Sequence, residues 1–276
     1  MLPLPEILRP EDQPWSYPNH NENFGVEQDF FRYLLNNSDL VTKNPQEADW
    51  HYLGVYWTRW HLANQQKPHV ETSILNDKKT FTICQHDDGP MVNLGDTIQF
   101  LASRKTASGF DIPLLSSDHR FPWWNPRKKY LASFMGRLDT HQIRQTMADK
   151  LCNRNDVYIF GKHKSPRSFV RKILQSYIAL APRGYGGSSF RFFEAMQLGV
   201  VPFLIGDIDT RPFKKYIEYD MFSLYTDDPK AGTEILDSKT REQLLAMGSE
   251  AKKIYEEKLA YQKWCKLVIK TLHDQF

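Results

Sequence analysis

Cysteine is scarce: the 276 residues hold three, Cys84, Cys152 and Cys265, far apart in the chain. Neither a disulfide framework nor a zinc site with paired ligands can be built from them, and the reading is a reducing compartment. Long apolar runs are missing too, since nothing approaches the roughly 18 consecutive apolar residues of a membrane span. The opening "MLPLPEILRPEDQPW" has neither the basic start nor the continuous apolar stretch of a signal peptide. A soluble, cytoplasmic protein without a membrane span is therefore expected. Charge of one sign is also lacking: 36 Lys and Arg against 33 Asp and Glu leave a formal net charge of +3. So small and evenly interleaved an excess argues against nucleic acid or an anionic membrane as partner.

What is present is the composition of an ordinary globular protein, 41% hydrophobic and 25% charged, at a length that suits two domains. Helical spacing of Phe30, Phe31, Leu34 and Leu35 predicts an early helix, and "HYLGVYW" and "FTICQHD" read as buried strands. Residues 109–129 collect three prolines without periodicity and read as an interdomain linker. Beyond it the alternation is regular: strands "KYLASFMG", "DVYIFG", "SYIALAP" and "VVPFLIG" are separated by helices "THQIRQTMADKLC", "SPRSFVRKILQ" and "SSFRFFEAMQLG". Such alternation predicts a parallel sheet with helices on its faces. Ser165 followed by Pro166 reads as an N-cap with proline at the first helical position. From Thr240 to the end the chain reads as helical.

The stretch "APRGYGGSSFRFFEAMQLGVVPFLIGD", residues 181–207, carries the chemistry. Its first three glycines and its two serines fall in a strand-to-helix turn at the carboxyl edge of the predicted sheet, where open α/β sheets bind ligands. Unpaired N–H groups at the helix start favour an anion such as a diphosphate. Gly184, Gly186 and Gly187 let the backbone approach it, Ser188 and Ser189 can cap the helix or donate to phosphate, and Arg183 and Arg191 add positive charge. Glu194 is a carboxylate in a mostly apolar helix. It reads either as the acceptor for a ribose diol or as an i,i+3 partner of Arg191. No Walker lysine, complete GxGxxG or GxSxG elbow is present, because Ser189 stands where the third dinucleotide glycine belongs.

"SSFRFFEAMQLGVVPFLIGD" followed by "RPFKKYIEYDMFSL", with "KYLASFMGRLDTHQIRQTMADKL" upstream, resembles the donor-binding half of the exostosin-like glycosyltransferases. "VTKNPQEADWHYLGVYW" and "FTICQHDDGP" are similar to segments of the family's first half, so the likeness runs over roughly residues 25 to 230. The resemblance implies a GT-B architecture of two Rossmann-like α/β domains with parallel sheets facing a cleft. The expected division is 1–125 for the acceptor domain, 126–250 for the nucleotide-sugar domain and 251–276 for a C-terminal helix packing back on the first. The chain's shortness and lack of a span resemble small soluble members such as those of algal chloroviruses.

The implied activity is inverting transfer of a sugar from a UDP-sugar, UDP-xylose by first choice, to a hydroxyl of an oligosaccharide or glycoprotein glycan. The implied cofactor set is empty: positive charge from the helix start and from Arg137, Lys162, Arg183 and Arg191 replaces a metal, with Tyr185 in the same loop. The DxD-like pair Asp207 and Asp209 reads as turn residues. Displacement needs a general base, and "HDDG" offers His86, Asp87 and Asp88, with Asp87 the choice; the same four residues also read as a plain strand-to-loop turn. His20, Tyr56 and Trp57 are acceptor-site candidates, although such aromatics also suit a core. A catalytically silent binding protein and a nucleotide-sugar epimerase of the same fold are the alternatives.

Overall fold

The computed structural model describes residues 25–58, 79–124, 126–162 and 164–275. His20 lies outside the described residues. Helix α1 (Gly25–Asn36) is followed by β1 (His51–Tyr52), β2 (Thr80–Cys84), β3 (Ile98–Leu101) and β4 (Phe110–Asp111). These strands form one sheet in the order β1-β2-β3-β4, every pairing parallel. The second unit runs β5 (Tyr130–Met135), α2 (Gln142–Leu151), β6 (Val157–Phe160), α3 (Pro166–Leu174), β7 (Ser176–Pro182), α4 (Phe190–Gln197), β8 (Val201–Ile205) and β9 (Leu224–Thr226). Its sheet has the order β6-β5-β7-β8-β9, again wholly parallel. Two α/β units, each with a wholly parallel sheet, agree with the two-unit α/β architecture expected from the sequence.

The central strands are apolar on both faces because helices cover both faces, and every residue of β8 and all but one of β7 are buried. α3 starts as its sequence requires, with the Ser165 side chain accepting from the Ser168 N–H and Pro166 at the first turn. After the short α5 (Gly232–Leu236), α6 (Arg241–Ile254) begins with a reciprocal capping box between Thr240 and Gln243.

Several elements differ from expectation. "HYLGVYW" keeps only His51–Tyr52 as strand. The linker begins later than residue 109, since Phe110 and Asp111 pair with β3. The carboxyl-terminal helical stretch is interrupted: α6 runs into a π-helical turn, Tyr255–Leu259, and the chain breaks before α7 (Cys265–His273). Buried Asp29 on α1 holds the break, accepting from the Gln262 N–H at 2.8 Å and from Trp264 Nε1 at 2.8 Å. α7 thereby joins α1 and the first sheet in one core with Phe30, Phe81, Phe100, Trp264 and Val268, into which α4 sends Phe192, Phe193 and Met196. A second core beneath the second sheet gathers Leu131, Phe134, Ile178, Leu180, Phe203 and Met247. Among the described residues no helix is long and apolar enough to cross a membrane.

Candidate active site

In the second sheet the connection reverses direction between β5 and β7, and ligands of open α/β sheets occupy such a switch point at the carboxyl ends of the strands. Two arginines converge there. Arg144, from α2, donates from Nε to the Arg183 carbonyl at 2.8 Å, from Nη1 to the Arg137 carbonyl at 2.9 Å and from Nη2 to the Pro182 carbonyl at 3.3 Å, tying the two strand ends together. Arg191, from α4, donates to the Met135 carbonyl at 2.7 Å, with its guanidinium over the Phe134 ring. Gly136, at a φ of 150°, leaves room for that guanidinium, which any Cβ would strike. Neither arginine forms an ion pair with a carboxylate among the described residues. Burial, and then the neighbouring Arg191 charge, pull Arg144 down to about 10.

The other expected cations are placed differently. Arg183 is buried and committed, to Asp207 and to the Gly186 carbonyl at 3.1 Å. Arg137 is exposed and forms a bidentate pair with Asp139 at 2.9 Å. Lys162 sits exposed in the bend after β6. Asp209 is held by Arg211 at 2.9 Å, so both members of the DxD-like pair answer arginines. Ser189 stands at the N-cap of α4 but its side chain makes no capping bond. Its buried Oγ, like Ser103 Oγ and Thr140 Oγ1, has no hydrogen-bond partner among the described residues. Ser188 is buried and Tyr185 exposed.

The glycine loop meets the first unit directly. The Gly187 N–H donates to the Ser103 carbonyl at 3.2 Å, and Thr210 Oγ1 donates to the Gly187 carbonyl at 3.2 Å. A Cβ on Gly186 would run into Ser103 Oγ and Asp87 Oδ1, and one on Gly184 would lie 2.9 Å from Arg144 Nη2. Only glycine permits this approach. The carboxyl edges of the two sheets therefore face each other, with Asp87 against the loop that leads into α4.

Asp87 lines a cavity of about 410 Å³ at the ends of β2 and β3, together with His86, Met91, Leu101, Ser103 and Lys105. His86 Nδ1 accepts from the Asp88 N–H at 3.2 Å, and burial lowers its pKa despite the carboxylates beside it. Asp88 is ion-paired with Lys105. Beneath the same turn lies Glu27, fully buried, accepting from the Gln85 N–H at 2.9 Å and from Thr58 Oγ1 at 3.1 Å; burial pushes its carboxyl up to about 8.

Two expectations are corrected. Tyr56 and Trp57 are 2% and 0% exposed, and Trp57 Nε1 donates to Thr82 Oγ1 at 2.8 Å, so both rings belong to the first unit's interior and present no face to a sugar. Glu194 does not pair with Arg191. Its Oε1 lies 3.0 Å from His119 Nε2 in the linker, while Gln197 on the next turn accepts from the His119 N–H at 3.1 Å. Arg144, Ser103, Thr140 and His119 escaped sequence reasoning. Arg144 alone carried a signal, as a cation in the first turn of a helix whose apolar stripe faces the core.

Residues 103–238 match the family model of the exostosin GT47 domain. The curated protein Exostosin-1c of Danio rerio is 26% identical over 240 residues, a match covering 67% of this chain and 32% of the relative, so the chain spans about a third of that protein's length. Among solved structures, TarM superposes with a TM-score of 0.41 at 11% identity, over 71% of this chain and 55% of TarM. The spinosyn forosaminyltransferase SpnP gives a TM-score of 0.35 at 13% identity, over 92% of this chain and 68% of SpnP. Residues 103–238 thus resemble the exostosin GT47 domain, and the chain is similar to an exostosin over part of its length.

Proposed function

We propose that this protein is a glycosyltransferase that moves a sugar from a UDP-sugar, with UDP-xylose the first donor to try, to a glycan hydroxyl with inversion. One observation carries the reading: Arg144 and Arg191 bring two guanidinium charges, unmatched by any carboxylate ion pair among the described residues, to the switch point beside the α4 N-terminus. Positive charge that no direct ion pair neutralises, next to a helix N-terminus, suits a diphosphate. The unpartnered hydroxyls of Thr140 and Ser189 offer further donors to its oxygens. The His119-oriented Glu194 carboxylate suits the ribose hydroxyls.

In the proposed step the acceptor oxygen, lodged in the cavity over β2 and β3, gives its proton to the Asp87 carboxylate as it attacks the anomeric carbon. The bond from that carbon to the diphosphate breaks on the opposite side, and the electron pair leaves with the diphosphate, whose growing charge the arginines and the helix start stabilise. Fixed cations fill the role a metal would otherwise take. Lys162 and Arg137 are assigned at most to the rim of the site, because both are exposed.

Isothermal titration with UDP, with and without EDTA, tests the donor site, followed by a panel of UDP-sugars and assignment of the product anomer by NMR. Micromolar binding that survives EDTA and an inverted product are expected. Absence of binding to any nucleoside diphosphate overturns the reading; binding abolished by EDTA overturns the metal-free part of it.

A further inference from the structure

The linker carries an aromatic platform that the donor and acceptor sites leave unused. Trp123 is 93% exposed, Trp124 47% and Phe121 48%, whereas the chain's fully buried aromatics, such as Trp57 and Trp264, show that this protein hides large rings where it can. The two indoles meet edge to face with centroids 5.2 Å apart, so each keeps an open face. They rim a cavity of about 380 Å³ floored by Leu174 and Leu198 and bounded by Lys252, whose ammonium lies 4.8 Å from the Phe121 ring centre. Pro122 and Pro126 flank the indoles and restrict the backbone that presents them.

Charge narrows the choice of ligand. Residues 119–129 contain Arg120, Arg127, Lys128 and Lys129 and no acid. Lys128 is spent on the Ser176 carbonyl at 2.6 Å, but Arg120, Arg127 and Lys129 are exposed. Open indole faces stack on the C–H faces of pyranose rings, and exposed guanidinium and ammonium groups answer carboxylates or sulfates. A bilayer surface is typically met by an amphipathic helix that lays such rings in the interface plane, whereas here the rings stand on an extended segment over a recessed aliphatic floor. Position separates this surface from the candidate active site. Leu198 closes the carboxyl end of α4 while Ser189 begins it, which puts roughly 12 Å of helix between the platform and the glycine loop.

We propose that Trp123, Trp124 and Phe121, with the surrounding cations, form a second glycan-binding site that takes an acidic polysaccharide chain remote from the point of transfer. The inference rests on the glycan-acceptor reading above for its biological sense, but its test does not use transfer. The probes are polygalacturonate, neutral dextran, and phosphatidylserine/phosphatidylcholine vesicles, followed by tryptophan fluorescence and affinity electrophoresis with the full chain. Polygalacturonate is expected to bind and dextran to bind at least tenfold more weakly. Trp123→Ala, at a side chain too exposed to threaten folding, and Trp124→Ala are each expected to weaken polygalacturonate binding at least fivefold while the UDP titration stays unchanged. Polygalacturonate binding that is absent, or indifferent to both substitutions, overturns the proposal, as does preferential binding to the vesicles. Loss of UDP binding in the unaltered protein would strike the donor site and leave this one standing.

Discussion

Gly187→Ala tests whether the two units are built to touch at the glycine loop. A Cβ at this position would fall inside van der Waals contact of the Arg104 carbonyl oxygen, 3.0 Å from its carbon and 3.2 Å from Thr210 Cγ2. The obstacle is backbone, which cannot rotate aside as a side-chain tip can. Gly187 does not adopt a positive φ, so alanine adds no conformational strain of its own. Overpacking of this kind costs about 1–3 kcal/mol. Parting the loop from Ser103 also loses the 3.2 Å Gly187 N–H bond, worth about 0.5–1.5 kcal/mol. Together these give a loss of about 1.5–4.5 kcal/mol in urea unfolding followed by tryptophan fluorescence. UDP affinity should fall at the same time, because the displaced loop leads into α4. Gly232→Ala is the matched control: its nearest obstacle is 3.9 Å away and the position is helical, so a change of about 0 to 1 kcal/mol toward greater stability is expected. A Gly187→Ala protein within about 0.5 kcal/mol of the parent, the usual range for harmless surface changes, and with unchanged UDP affinity would refute the claim that the approach is sterically required.

Asp87→Ala is expected to reduce kcat at least tenfold with UDP affinity intact; a smaller loss would remove Asp87 from the role of base. Arg144→Ala should lower UDP affinity at least tenfold and destabilise the fold, since three carbonyls lose their donor; unchanged titration would show that its charge does not reach the donor. For Glu194→Ala a fall in UDP affinity is expected with little change in thermal stability, and the opposite pattern would assign the carboxylate to the His119 contact alone. Glu27, raised in the fold from 4.5 to about 8, holds a proton there that the unfolded chain has released. Stability should therefore decline as pH rises from about 4.5 to about 8, by up to about 1.4 kcal/mol per pH unit from this group. Glu27→Gln should flatten that slope in pH-dependent denaturation, and a slope identical to the parent's would refute the assignment.

The second unit was the more legible half because its signals are local. Strands β5 to β8 are short apolar runs bounded by turn residues, helices of this unit carry their own caps at Ser165 and Thr240, and the glycine-serine turn announces a close backbone approach. β3, β4 and β9 went unread because two to four residues bear too little periodicity to count. The break before α7 was hidden for another reason, since Asp29, more than 200 residues away, terminates the helical stretch.

The sequence by itself determined that this is a parallel α/β protein with a glycine- and serine-rich strand-to-helix turn, because apolar periodicity, capping and glycine placement act over a few residues. Only the tertiary structure decided which charges remain for a ligand. It committed Arg183 to Asp207 and Arg137 to Asp139, turned Arg191 to a carbonyl beside Gly136, brought Arg144 across from α2, buried Tyr56 and Trp57, and exposed Trp123. Ion pairing and burial are settled by neighbours in space, and residue order in the chain does not record who those neighbours are.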